Sequence, residues 1–107
     1  MPDQIKKILQ IYKKELHTLP DSSIKKIILY GSYARGDFNK NSDIDIMILV
    51  DQKNFKKCED QIFDLTYDFN QEHNTDIMPI VQNIGHFNYW KKAYMFYRNI
   101  TQEGVEI

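Results

Sequence analysis

Two acids, Asp43 and Asp45, stand one residue apart at the head of a run that is otherwise apolar, "DIDIMILV". In an extended chain alternate side chains share a face, so both carboxylates point one way while Ile44, Ile46 and Ile48 point the other. Side-by-side carboxylates repel, and charge on a strand that reads as core is costly unless something compensates it. A divalent cation would do so. Hard oxygen ligands suit magnesium, which also keeps waters and borrows oxygens from substrate phosphates. A third acid would complete such a site, and Asp76, at the start of the next apolar run, is the best placed. Taken alone, an Asp-x-Asp pair reads equally as surface acids at a junction between loop and strand.

A second feature lies just upstream. Gly31-Ser32 follows the apolar run "IKKIILY" and opens a short stretch able to make a helical turn. That arrangement presents backbone N–H groups to a phosphate. Glycine allows close approach to the main chain, and the serine hydroxyl adds a donor. The information lies in the combination: strand, Gly-Ser, ten residues, then Asp-Ile-Asp-Ile on another strand.

The elements that must hold these residues follow from periodicity. Apolar residues at Ile5, Ile8, Leu9, Tyr12, Leu16 and Leu19 predict a helix over residues 3–19, capped by Asp3 and stopped by Pro20. Strands are predicted at residues 24–30 and 43–50, with a helical turn at 32–35 and a surface loop, "GDFNKNS", at 36–42. Phe55, Cys58, Ile62, Leu65 and Phe69 mark a helix from Asn54 to about His73. A third strand covers residues 75–81, and Pro79 places it at a sheet edge or limits its pairing to the first half. One last helix runs from Phe87 through Ile100 to a stop at Gly104. This order predicts a single α/β (α+β) domain over residues 1–107, a sheet of about three strands flanked by helices.

Composition narrows the function. The 14 basic and 15 acidic residues leave a net charge of -1, which removes any case for a broad nucleic-acid surface. No apolar run approaches the roughly 20 residues of a membrane span, and the first residues lack a signal-peptide core, so a cytoplasmic protein is expected. The single cysteine, Cys58, reads as a small core residue, and His17, His73 and His86 lie outside the motif. Trp90, Tyr94 and Tyr97 share a stripe, whereas Tyr89 and Phe96 project elsewhere, an excess of aromatics suited to core packing or to a partner.

The stretch "GSYARGDFNKNSDIDIMILV" resembles the signature of the DNA polymerase β nucleotidyltransferase superfamily, and most closely that of the minimal nucleotidyltransferases (MNT). The resemblance implies the nucleotidyltransferase fold, with Gly31 and Ser32 on the triphosphate of a nucleotide and Asp43 and Asp45 on two Mg2+ ions. It implies Asp76 as the third carboxylate, Arg35 as a neutraliser of phosphate charge, and Ser42 as a bond to the turn or the phosphates. ATP would be the substrate. The partner it implies is a HEPN-domain toxin, for which the MNT protein is the antitoxin; the oligomeric state, homodimer or hetero-oligomer, stays open.

Two-metal displacement at phosphorus needs no covalent nucleophile, so no Ser/His/Asp triad is expected. The expected reaction is transfer of AMP from ATP to a hydroxyl, a tyrosine of the toxin, with release of pyrophosphate. Two other functions stay open at this level: an antitoxin that masks its toxin without chemistry, and a small-molecule, aminoglycoside-type nucleotidyltransferase.

Overall fold

The computed structural model describes residues 2–20 and 23–107. Helix α1 (Asp3–Leu16) leads to strand β1 (Ile24–Tyr30), the one-turn helix α2 (Ser32–Arg35) and strand β2 (Ile44–Val50). Helix α3 (Phe55–His73), strand β3 (Ile77–Asn83), helices α4 (Ile84–Trp90) and α5 (Met95–Glu103) and a two-residue strand β4 (Val105–Glu106) complete the order. The sheet runs β3-β2-β1-β4. β1 is antiparallel to β2 and β4, and β2 is parallel to β3, which α3 makes possible as the crossover.

Strand alternation sorts the core into two layers. Ile27, Leu29, Ile44, Ile46, Ile48, Val50, Ile77 and Val81 face Leu9, Tyr12 and Leu16 of α1 and Cys58, Ile62 and Phe69 of α3. Ile28, Met47 and Leu49 face Phe87 of α4 and Tyr97 and Ile100 of α5. Asp45 therefore belongs to the α4/α5 side, two positions ahead of Met47 on the same face.

Four expectations are corrected. The sheet has four strands among the described residues, because Gly104 ends α5 and lets the chain pair at once with β1. α1 stops at Leu16, not Leu19: the Thr18 amide and hydroxyl both donate to the Glu15 carbonyl (3.0 and 2.6 Å), which tightens the last turn. Asp3 lies in the first turn of α1 and Pro2 takes the cap position, without a side-chain cap. The final helix is broken at residues 91–94. At about 100° per residue, Phe87 and Ile100 would point about 140° apart on one straight helix. Breaking it resets the phase so that both reach the sheet, and the stacked rings of Trp90 and Tyr94 (5.0 Å apart) close the turn.

β3 is the edge strand that Pro79 predicted, yet it pairs along all seven positions, from Ile44 with Ile77 to Val50 with Asn83. Since the Ile44 N–H donates to the Asp76 carbonyl (2.9 Å), alternate residues Ile77 and Pro79 turn their backbones outward. Asn70 meets both outward groups of Ile77, accepting from its N–H (2.9 Å) and donating to its carbonyl (3.0 Å). No helix among the described residues is long and apolar enough to cross a membrane.

The α1/α3 layer holds one buried polar pair. The Thr66 hydroxyl donates to the Ile62 carbonyl (2.7 Å), so its contact with Tyr12 at 2.7 Å must use the phenol as donor. Burial pushes the Tyr12 pKa up to about 12. Tyr12→Phe removes one bond and leaves Thr66 satisfied, whereas Thr66→Val strands the phenol. Urea denaturation is expected to show a loss of about 1 kcal/mol for Tyr12→Phe and about 2 kcal/mol or more for Thr66→Val.

Candidate active site

β1 ends at Tyr30, and its cross-strand partner is Asp45. The next residue, Gly31, has φ 78°, a conformation that a side chain disfavours. Its absent Cβ matters for a second reason: a carbon there would collide with the Asp45 carboxylate, whose Cγ and Cβ would lie 3.1 and 3.2 Å away. Glycine thus serves as a slot for the second acid of the Asp-x-Asp pair. The sequence suggested only that it made room for a phosphate.

From Gly31 the chain turns through α2, and Gly36, with φ 90°, ends that turn. The loop to β2 is tied within itself. Tyr33 stacks on Phe38 (4.6 Å), the Asn39 amide donates to Ser42 Oγ (2.9 Å), and the Ser42 amide donates to the Asn39 carbonyl (3.0 Å). Ser42 makes the turn bond expected of it and delivers Asp43 to the mouth of β2, one residue before the strand begins.

Gly31, Ser32, Arg35, Ser42, Asp43 and Asp45 all line one cleft of about 410 Å3. Tyr30 forms part of its wall, and Phe96, Asn99, Ile100 and Glu103 of α5 complete it. Asp76 does not line this cleft. Its backbone is in register with Asp43, one position before the Ile44–Ile77 pair, and its side chain is exposed. Asp64, Asp68 and Glu72 lie exposed on α3.

The electrostatics follow from the geometry. Burial, then the Asp43 charge beside it, raises the Asp45 pKa above the ordinary carboxylate value, with Arg35 opposing the rise. Burial and the Asp45 charge push the Tyr30 phenol up to about 12, so it is neutral and can donate at neutral pH. Arg35 bonds two acids, Asp37 through Nε (3.2 Å) and Glu103 through Nη1 (3.3 Å). Glu103 Oε1 also accepts the Gly31 N–H (3.2 Å). Among the described residues no group of three or more His, Cys, Asp or Glu side chains is gathered to hold a metal. The pair Asp43 and Asp45 nonetheless fits a hard divalent cation: its donors are carboxylate oxygens, and their mutual repulsion is what a cation would relieve.

Sequence reasoning missed Glu103, Phe96 and Asn99. Their signal was present in "FYRNITQE", where Phe96, Asn99, Ile100 and Glu103 fall at i, i+3, i+4 and i+7 of one helix face. Reading a single helix from Phe87 found the residues that α4 and α5 bury, Phe87, Tyr97 and Ile100, but not the neighbouring stripe of α5 that faces the cleft. Tyr30 was passed over as the last residue of a strand.

A mixed sheet with a glycine-serine turn facing two strand acids is the framework of a nucleotidyl-transferring domain. The chain belongs to the nucleotidyltransferase domain family, whose profile matches residues 5–106. Two relatives from Methanocaldococcus jannaschii carry the name "Putative protein adenylyltransferase". MJ0141 is 32% identical over 106 residues, covering 97% of this chain and 99% of the relative. MJ0604 is 42% identical over 81 residues, covering 76% of this chain and 75% of the relative. Among solved structures, a toxin-antitoxin crystallised with AMP-PNP superposes with a TM-score of 0.56 at 17% identity, over 94% of this chain and 69% of that one. This likeness is one of fold.

Two outcomes test the site's construction. Gly31→Ala is expected to cost about 1–3 kcal/mol, because it combines an unfavourable φ with displacement of Asp45. Asp45→Asn should do the opposite. An acid whose pKa rises on folding holds its proton more tightly in the folded chain, so stability falls as pH climbs through the raised value. At neutral pH the ionised form is a net cost, kept small by partial exposure. Metal-free Asp45→Asn is expected to melt about 1–3 °C above wild type at pH 7, with the gain gone near pH 3, by circular dichroism.

Proposed function

We propose that this chain is one minimal nucleotidyltransferase domain that transfers AMP from ATP to a hydroxyl of a partner protein, a tyrosine of a HEPN toxin, and thereby acts as its antitoxin. The observation that carries this reading is the convergence of Gly31, Ser32, Asp43 and Asp45 on one cleft, with Asp45 seated against Gly31. The names of the curated relatives support adenylyl transfer, and the toxin-antitoxin among its structural neighbours supports the fold.

In the reaction the acceptor oxygen bonds to the α-phosphorus, the bond from that phosphorus to the bridging oxygen breaks, and pyrophosphate leaves. Gly31 N–H and the Ser32 hydroxyl would bind the phosphates, and Arg35 would offset their charge. Ser42, through its turn, positions Asp43. Asp43 and Asp45 would hold Mg2+, with Asp76 next in backbone register as the third carboxylate. When bound, the ions lower the pKa of the attacking hydroxyl and stabilise the leaving phosphates.

A protein acceptor is favoured by the surface beside the cleft. Tyr89 (76% exposed), Met95 (72%), Tyr94 and Phe96 bring large apolar side chains to the α4/α5 surface, and Phe96 also lines the cleft. Scattered apolar residues mean little, but Phe96, exposed and lining the cleft, offers a protein partner an apolar contact at the site itself.

Incubation with Mg2+, labelled ATP and the partner toxin should label a toxin tyrosine. Asp43→Ala and Asp45→Ala should each reduce labelling by at least about 100-fold. Toxin neutralised by the double variant would favour masking, and label on an aminoglycoside without any protein would favour the small-molecule reading. Equal labelling by Asp76→Ala and wild type would remove Asp76 from the ligand set.

A further inference from the structure

We propose that Glu103 occupies the phosphate seat of the nucleotide-free protein and that an incoming nucleoside triphosphate displaces it. This inference rests on the nucleotide reading of the cleft and adds a residue to it. A single oxygen, Glu103 Oε1, accepts from both the Gly31 N–H (3.2 Å) and Arg35 Nη1 (3.3 Å). These are two of the groups that would bind a triphosphate. The amide has one hydrogen to give, so it cannot serve Glu103 and a phosphate oxygen together.

Charge makes the competition stronger than the shared donor alone. The cleft carries Asp43, Asp45 and Glu103 against Arg35, and Arg35 is shared with Asp37 at its rim. A triphosphate entering beside Glu103 meets a like charge within a few ångströms of its own seat. Departure of Glu103 frees the Gly31 donor and one side of the guanidinium, while Asp37 keeps Arg35 in place through Nε.

The position of Glu103 permits that departure. Its side chain is 27% exposed, and it is the last residue of α5, with Gly104 as the cap. Beyond the cap, β4 pairs with β1 through only two positions, Val105 with Leu29 and Glu106 with Ile28. The carboxylate can swing to solvent about its own side-chain bonds without unpacking Ile100, which is buried one turn earlier.

The test is the affinity for AMP-PNP by calorimetry, first in EDTA and then with Mg2+. Glu103→Gln keeps an acceptor for Gly31 but removes the charge, and is expected to tighten metal-free binding about fivefold. Glu103→Ala should tighten it similarly. Glu106→Gln, on the exposed β4 and outside the cleft, should stay within about twofold of wild type. In the wild-type protein, AMP-PNP should shift the 13C resonance of the Glu103 carboxyl, a readout that needs no variant. Unchanged or weaker binding by both Glu103 variants, or an unmoved carboxyl resonance on saturation, would make Glu103 a structural tie and overturn the proposal alone. Failure of wild type and all variants to bind AMP-PNP under either condition would instead remove the nucleotide site.

Discussion

The contact on which this structure depends is the one between the Asp45 carboxylate and the bare Cα of Gly31. Strand pairing sets Tyr30 opposite Asp45, so the turn after β1 must begin directly over an acid. Only a residue without a side chain can leave there. Once it does, the glycine-serine turn and the acid pair have a fixed relation, set by a backbone ladder and not by flexible side chains. Residues 33–42 then close a gap whose ends are already positioned, which explains why the loop is stitched by Tyr33, Phe38, Asn39 and Ser42.

The same contact places negative charge where the sheet would otherwise be apolar. Asp45 shares its face with Met47 and Leu49, which are fully buried under α4 and α5. A strand that changes character over three residues violates the local consistency that favours folding, and such violations concentrate where function requires them. The cost is limited because the acids sit at the open end of the strand, with Asp43 exposed and Asp45 half-buried. α5 approaches that end with Asn99 and Glu103, polar residues flanking the buried Ile100, so polar groups line the cleft while the sheet beneath it is packed with apolar side chains.

Most of the framework was legible because its signals are local. Alternation in residues 43–50, the spacing of Cys58, Ile62 and Phe69, and the turn residues of 36–42 each report a short-range preference. Pro79 announced an edge strand for the same reason. What escaped detection depended on distant partners. β4 is too short to carry a pattern, and only pairing with Ile28 and Leu29 defines it. The break between α4 and α5 is dictated by the sheet beneath, where Phe87 and Ile100 must land together. Glu103 entered the cleft through that break, 72 residues from the amide it bonds. The acid pair was read correctly as sharing a face, but the reason for Gly31 was incomplete: its empty side is turned toward Asp45.

The outward edge of β3 has a consequence beyond the site. A strand at a sheet margin is a template for another chain, and proteins blunt such margins to stay apart. Here the first outward residue, Ile77, has both backbone groups engaged by Asn70, and the next, Pro79, has no N–H to offer. Together they deny an approaching strand the start of a ladder. Extension of the sheet by a second chain is thereby disfavoured at the start of β3.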